Sequence, residues 1–97
     1  METTEVGMNI TNETYIETLE RFKNQIFRAL PEREEDKDYQ KTLKNIILEI
    51  RGFSLLLDQE KDYVILLSKL TGLIDEPDNV IFRKGIFDCI QIIEQKK

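Results

Sequence analysis

Tyr15-Ile16-Glu17-Thr18-Leu19-Glu20-Arg21-Phe22-Lys23-Asn24-Gln25-Ile26 places apolar side chains at i, i+4, i+7 and i+11. That is the spacing of a helix that buries one stripe. The same spacing returns at Tyr39, Leu43, Ile46 and Ile50, at Tyr63, Leu67, Leu70 and Ile74, and at Phe82, Ile86, Cys89 and Ile93. Four stripes with short connections predict an all-α chain folded as a compact antiparallel four-helix bundle. The expected helices span about 12–30, 36–57, 59–71 and 79–95. In the alternative arrangement the second and third merge into one bent helix, because Asp58-Gln59-Glu60-Lys61-Asp62 holds neither Gly nor Pro.

The punctuation around the stripes fits this division. Residues 1–10 lack periodicity and read as a flexible N-terminal tail, leaving 11–97 as a single bundle domain. Thr11 or Asn12 can cap the first helix, and Thr14 with Glu17 offers a capping box one turn later. Pro31 is expected to stop helix 1 near Leu30. The charged connection after it ends on Asp36, an N-cap for helix 2. Asp58 is the expected N-cap of helix 3, Gly72 its C′ residue, and Asp78 the N-cap of helix 4.

The 97 residues fit one domain. The net charge of −5 is uneven. Residues 1–38 hold ten Asp or Glu against five Lys or Arg, and residues 39–97 hold nine of each. An acidic chain disfavours nucleic acid and anionic membrane, which are bound through Lys and Arg. It favours a basic protein partner. Without a basic segment leading into an apolar core at the N-terminus, a cytoplasmic location is expected, and Cys89 then reads as a buried core residue.

The chain has no histidine. Ser-His and Cys-His nucleophilic catalysis, His acid–base chemistry and most zinc sites are thereby excluded, as are di-iron bundles built on Glu-x-x-His pairs. The four glycines are isolated, so there is no phosphate-cradling loop. Glu32, Glu34, Glu35, Asp36 and Asp38 are interleaved with Arg33 and Lys37 and read as a solvated connection. A non-enzymatic protein without cofactor or metal is expected.

The apolar residues off the stripes carry more information. At 100° per residue, Leu48 and Leu55 point nearly opposite the inner stripe of helix 2, with Leu56 beside them. Phe27 lies at the flank of helix 1, and Ile81, Phe87 and Ile92 widen the apolar side of helix 4. Exposed apolar ridges of this kind usually mark contacts. In size, charge and helix count the chain is similar to colicin- and bacteriocin-type immunity proteins and to phage-encoded inhibitors of host functions. The likeness is architectural, and no residues carry over from it.

Two functions are therefore expected. One is a small acidic inhibitor or neutraliser binding a protein partner, with Glu17, Glu20, Glu34, Glu35 and Asp38 facing a basic target. The other is a self-associating structural or adaptor subunit, a homodimer, that buries the Leu48 and Leu55 ridge or the broad apolar side of helix 4.

Overall fold

The computed structural model describes residues 4–6 and 8–97, with 4–10 described through their backbone alone. Two short strands, β1 (Thr4–Val6) and β2 (Met8–Ile10), pair antiparallel with Thr4 opposite Ile10. The tail expected over 1–10 therefore falls partly on this pair, and at residues 1–3 and 7 outside the described residues. Four helices follow: α1 (Asn12–Glu34), α2 (Tyr39–Leu56), α3 (Glu60–Ile74) and α4 (Asn79–Gln95). Helices 2 and 3 are separate. Each helix packs on its neighbours in sequence, and α1 closes the ring on α4.

Adjacent helices run antiparallel. The end of α1 meets the start of α4 through Arg33 and Asn79, and Lys23 of α1 pairs with Glu94 near the end of α4. The start of α2 meets the end of α3 where Gln40 Nε2 donates to the Ile74 carbonyl, 2.7 Å. The chain is an all-α four-helix bundle, as the stripes require.

The core follows the stripes closely in three helices. Leu19, Phe22 and Ile26 of α1, Leu43, Ile46 and Ile50 of α2, and all four stripe residues of α4 are buried. In α3 the buried face is rotated. Leu66 and Leu73 are buried with Tyr63 and Leu70, whereas Leu67 and Ile74 are half-buried against the core. The rotation comes from the approach of α4, where Leu73 lies over Gly85. A Cβ on Gly85 would stand 2.5 Å from Leu73 Cδ2.

Four boundaries differ from expectation. α1 does not stop at Pro31 but runs one turn further, to Glu34. A proline inside a helix forfeits one backbone hydrogen bond. Arg33, in the turn that Pro31 would have removed, makes up for it. Its Nε donates to Asn79 Oδ1 at 2.8 Å, Nη1 to the Glu76 carbonyl at 2.7 Å and Nη2 to the Pro77 carbonyl at 3.0 Å. Its guanidinium also lies over the rings of Phe82 and Tyr39, 4.3 and 5.3 Å from their centroids. One side chain thus ties α1 to α2, to α4 and to the α3–α4 connection.

Asp36 and Asp58 are not N-caps. Both have positive φ, 61° and 57°, and both stand at C′ of the preceding helix. Lys37 N donates to the Glu32 carbonyl and Asp36 N to Arg33; Gln59 N donates to Ser54 and Asp58 N to Leu55. These are paired Schellman bonds, with Asp in the left-handed position that glycine usually takes. The cap of α2 is instead Asp38, which accepts from Lys41 N at 3.1 Å. Gln59 stands at the start of α3 without a side-chain cap bond. Gly72, expected at C′, lies inside α3. Thr11 and Asp78 cap α1 and α4 as expected.

One tyrosine hydroxyl is satisfied inside the bundle. Tyr63 is fully buried, and its hydroxyl shares a 2.8 Å hydrogen bond with that of Tyr15. A buried hydroxyl needs such a partner.

Two expected results test this packing. Replacing Arg33 by Lys keeps the charge but loses the three-pronged fork and the flat stack on Phe82. It should cost about 1–3 kcal/mol in urea unfolding, and a change below about 0.5 kcal/mol would contradict the clamp. Gly52 and Gly72 lie in helices with nothing within 4 Å of an added Cβ. Alanine at either should stabilise by about 0.5–1 kcal/mol, while Gly85→Ala should gain less or lose, because Leu73 must shift. Thermal melts of the three variants give the order directly.

Candidate functional site

The expected contact residues do not converge on one place; the fold distributes them over three surfaces. Glu20, Glu34, Glu35 and Asp38 lie on α1 or just after it and are already engaged. Glu20 meets Lys23 and Lys97, Glu34 meets Arg83 at 3.6 Å, and Glu35 meets Lys37 at 3.1 Å. Asp38 is spent on the cap of α2. Glu17 is exposed and makes no ion pair among the described residues. Surface ion pairs add little stability, but they cancel much of the field that a basic partner would meet.

Phe27 and Phe87 form the second surface. They meet edge to face across the α1–α4 seam, ring centroids 6.1 Å apart, with Arg83 lying over Phe87 at 5.8 Å. Each is a little under half exposed. The pair covers part of its own apolar area, and Arg83 covers more.

The third surface is the outer face of α2. Leu48, Leu55 and Leu56 are each more than half exposed. They border a shallow groove beside α1 that is lined by Gly52, Phe53, Phe22 and Arg21. The groove exists because Gly52 has no side chain at the outermost point of the helix. Arg21 is held on its rim by an ion pair with Glu49, 3.2 Å, and lies 5.3 Å over the Phe22 ring. Leucines on the side opposite a well-filled core give the bundle nothing to pack on.

This apolar surface continues onto α3 through residues that lie off its expected stripe. Val64 and Ile65 are also more than half exposed. The short connection at one end and the Gln40–Ile74 bond at the other fix the antiparallel register of α2 and α3. That register sets Val64 level with Arg51 and Gly52, between Leu48 and Leu55. At 100° per residue, Val64 turns outward on the side of α3 that faces α2, with Ile65 further out. Periodicity alone could have found both, since neither shares the side of Tyr63 and Leu70.

The buried titratable groups offer no reactive centre. Burial pushes the Cys89 thiol up to about 12 from its ordinary 9.0; nearby Lys69 works against that shift and Asp88 adds to it. A thiol held protonated is a poor nucleophile. Burial, then the bond to Tyr15, also raises the Tyr63 hydroxyl well above its usual range. Both groups are held neutral by the fold, so their contribution to stability is complete below about pH 9. It is lost as pH rises from about 9 through 12, where the unfolded thiol ionises and the folded one does not. Urea midpoints should stay level from about pH 7 to 9 and fall above it, and the fall should be shallower in Cys89→Ala. A midpoint that rises across the alkaline range would contradict this.

Among the described residues, no group of three or more His, Cys, Asp or Glu side chains could hold a metal ion. No helix there is long and apolar enough to cross a membrane. No protein-family model matches the chain, and no curated protein or solved structure matches it.

Proposed function

We propose that this chain is a non-enzymatic protein-binding module that inhibits or neutralises its partner by covering part of it. The observation that carries this reading is the groove at Gly52 with Leu48, Leu55 and Leu56 exposed around it. An exposed apolar group on a folded domain is costly in water and gains free energy when covered. A concave centre with a leucine rim suits a side chain entering from a partner. The paired acids on α1 argue against the acidic surface as the main contact and favour the α2 face.

The test is binding by a Leu48→Glu, Leu55→Glu variant, with circular dichroism to show that it stays helical. Partners captured by the wild-type chain from the cells that make it should be lost by the variant. Partners retained unchanged by a folded variant would sink this reading. The alternative is a self-associating subunit that buries the same face. Sedimentation at high concentration separates the two, because a monomer leaves the face free for a different protein.

A further inference from the structure

We infer that the outer face of α2 and α3 receives an amphipathic helix of a partner protein whose apolar stripe is flanked by aspartate and glutamate. The inference rests on the interaction-module reading and adds the chemistry of the partner. The charges around the apolar residues carry it. Lys41, Lys44 and Arg51 of α2 and Lys61 of α3 are exposed and make no ion pair among the described residues. Lys44 and Arg51 fall on the same side of α2 as Leu48 and Leu55, and Lys41 on its outer line; Lys61 falls beside Val64 on α3. Asp58 and Glu60, both at the α2–α3 connection, are the acids near them, since Glu49 is held by Arg21. A chain with a net charge of −5 therefore keeps four unpaired cations around the exposed apolar surface of α2 and α3, while pairing most of the acids on α1.

That combination selects among occupants. A second copy docked face to face would set Lys44, Arg51 and Lys61 against the same cations, and like charges at an interface cost affinity. Nucleic acid would take the cations but leave five exposed aliphatic side chains against phosphate, with no exposed aromatic beside them for a base to stack on. An anionic membrane would repel the rest of this acidic chain and could not fill a groove. A helix satisfies all the features at once. Its apolar stripe covers Leu48, Leu55 and Val64, one larger side chain enters at Gly52, and its acidic flanks meet the lysines.

The test uses a phage-displayed library of helices of about five turns, with Leu or Met at the stripe positions and randomised flanks. It is selected against the immobilised full chain. The expected result is enrichment of Asp and Glu in the flanks. Binding by the selected peptides should weaken at least about tenfold in Leu48→Glu, Leu55→Glu and in Lys44→Glu, Lys61→Glu, and should weaken with added salt. The lysine variant touches no buried residue, so its fold is safe if the leucine variant loses helicity. Selected helices with neutral or basic flanks that still depend on Leu48 and Leu55 would overturn the acidic partner and leave the binding-module reading intact. No enriched helix, or helices indifferent to both variants, would overturn both. Equal or tighter binding of duplex DNA or phosphatidylserine vesicles at this face, or a dimer that blocks it, would also overturn the inference.

Discussion

Phe82→Ala is expected to lower the unfolding free energy by about 3–5 kcal/mol. This is the largest effect of any single substitution proposed for the fold. Phe82 is fully buried, meets Tyr39 edge to face with centroids 5.2 Å apart, and forms the surface on which the Arg33 guanidinium rests at 4.3 Å. Truncation removes the ring's own burial, leaves a cavity between α2 and α4, and takes away the flat support of Arg33. A small domain has only about 5–15 kcal/mol in total, so the variant should unfold at a much lower urea concentration. Phe82→Ala and Arg33→Lys should be less than additive in combination, because the first already removes part of what the second would lose. Urea unfolding of the two single variants and the double variant measures this. Full additivity, or a loss below about 1 kcal/mol for Phe82→Ala, would show that Arg33 and Phe82 do not act as a unit.

The second large effect concerns binding. Leu48→Glu, Leu55→Glu is expected to leave the bundle folded and to weaken partner binding by about a hundredfold or more. Two buried carboxylates at the centre of an apolar contact cost several kcal/mol. The contrast with Phe82 is the point of the experiment. Both substitutions alter large apolar side chains, but Phe82 serves this chain's own core, and Leu48 and Leu55 face away from it.

Much of this was legible in the sequence, because helical periodicity is set by burial. The stripes of α1, α2 and α4 name buried residues directly, and Asp78 announces the start of α4 through a cap bond to residues two and three positions on. The outward leucines of α2 were legible by the same angular argument, read in reverse. What was not legible depends on contacts between distant residues. Pro31 reads as a stop, yet the helix continues through it to put Arg33 against residues 43 to 46 positions away. Asp36 and Asp58 have the chemistry of N-caps, but each takes a left-handed C′ position because the preceding helix closes with Schellman bonds. The α3 stripe rotates toward Leu66 and Leu73 because Gly85 on α4 lets Leu73 come close. The acidic half of the sequence suggested a surface for a basic partner. Folding pairs Glu20, Glu34 and Glu35 with cations that sequence distance had hidden or made ambiguous. The unpaired cations of α2 and α3 were dispersed among nearly equal numbers of acids and became a group only on a folded face.

The most direct test of the central claim, that the outer face of α2 serves something outside this chain, is the unfolding free energy of Leu48→Glu, Leu55→Glu. With both side chains in solvent, the variant should lie within about 1 kcal/mol of the wild type, at the scale of ordinary surface substitutions. A loss of about 3 kcal/mol or more would mean that Leu48 and Leu55 belong to this protein's own core, and would contradict the account.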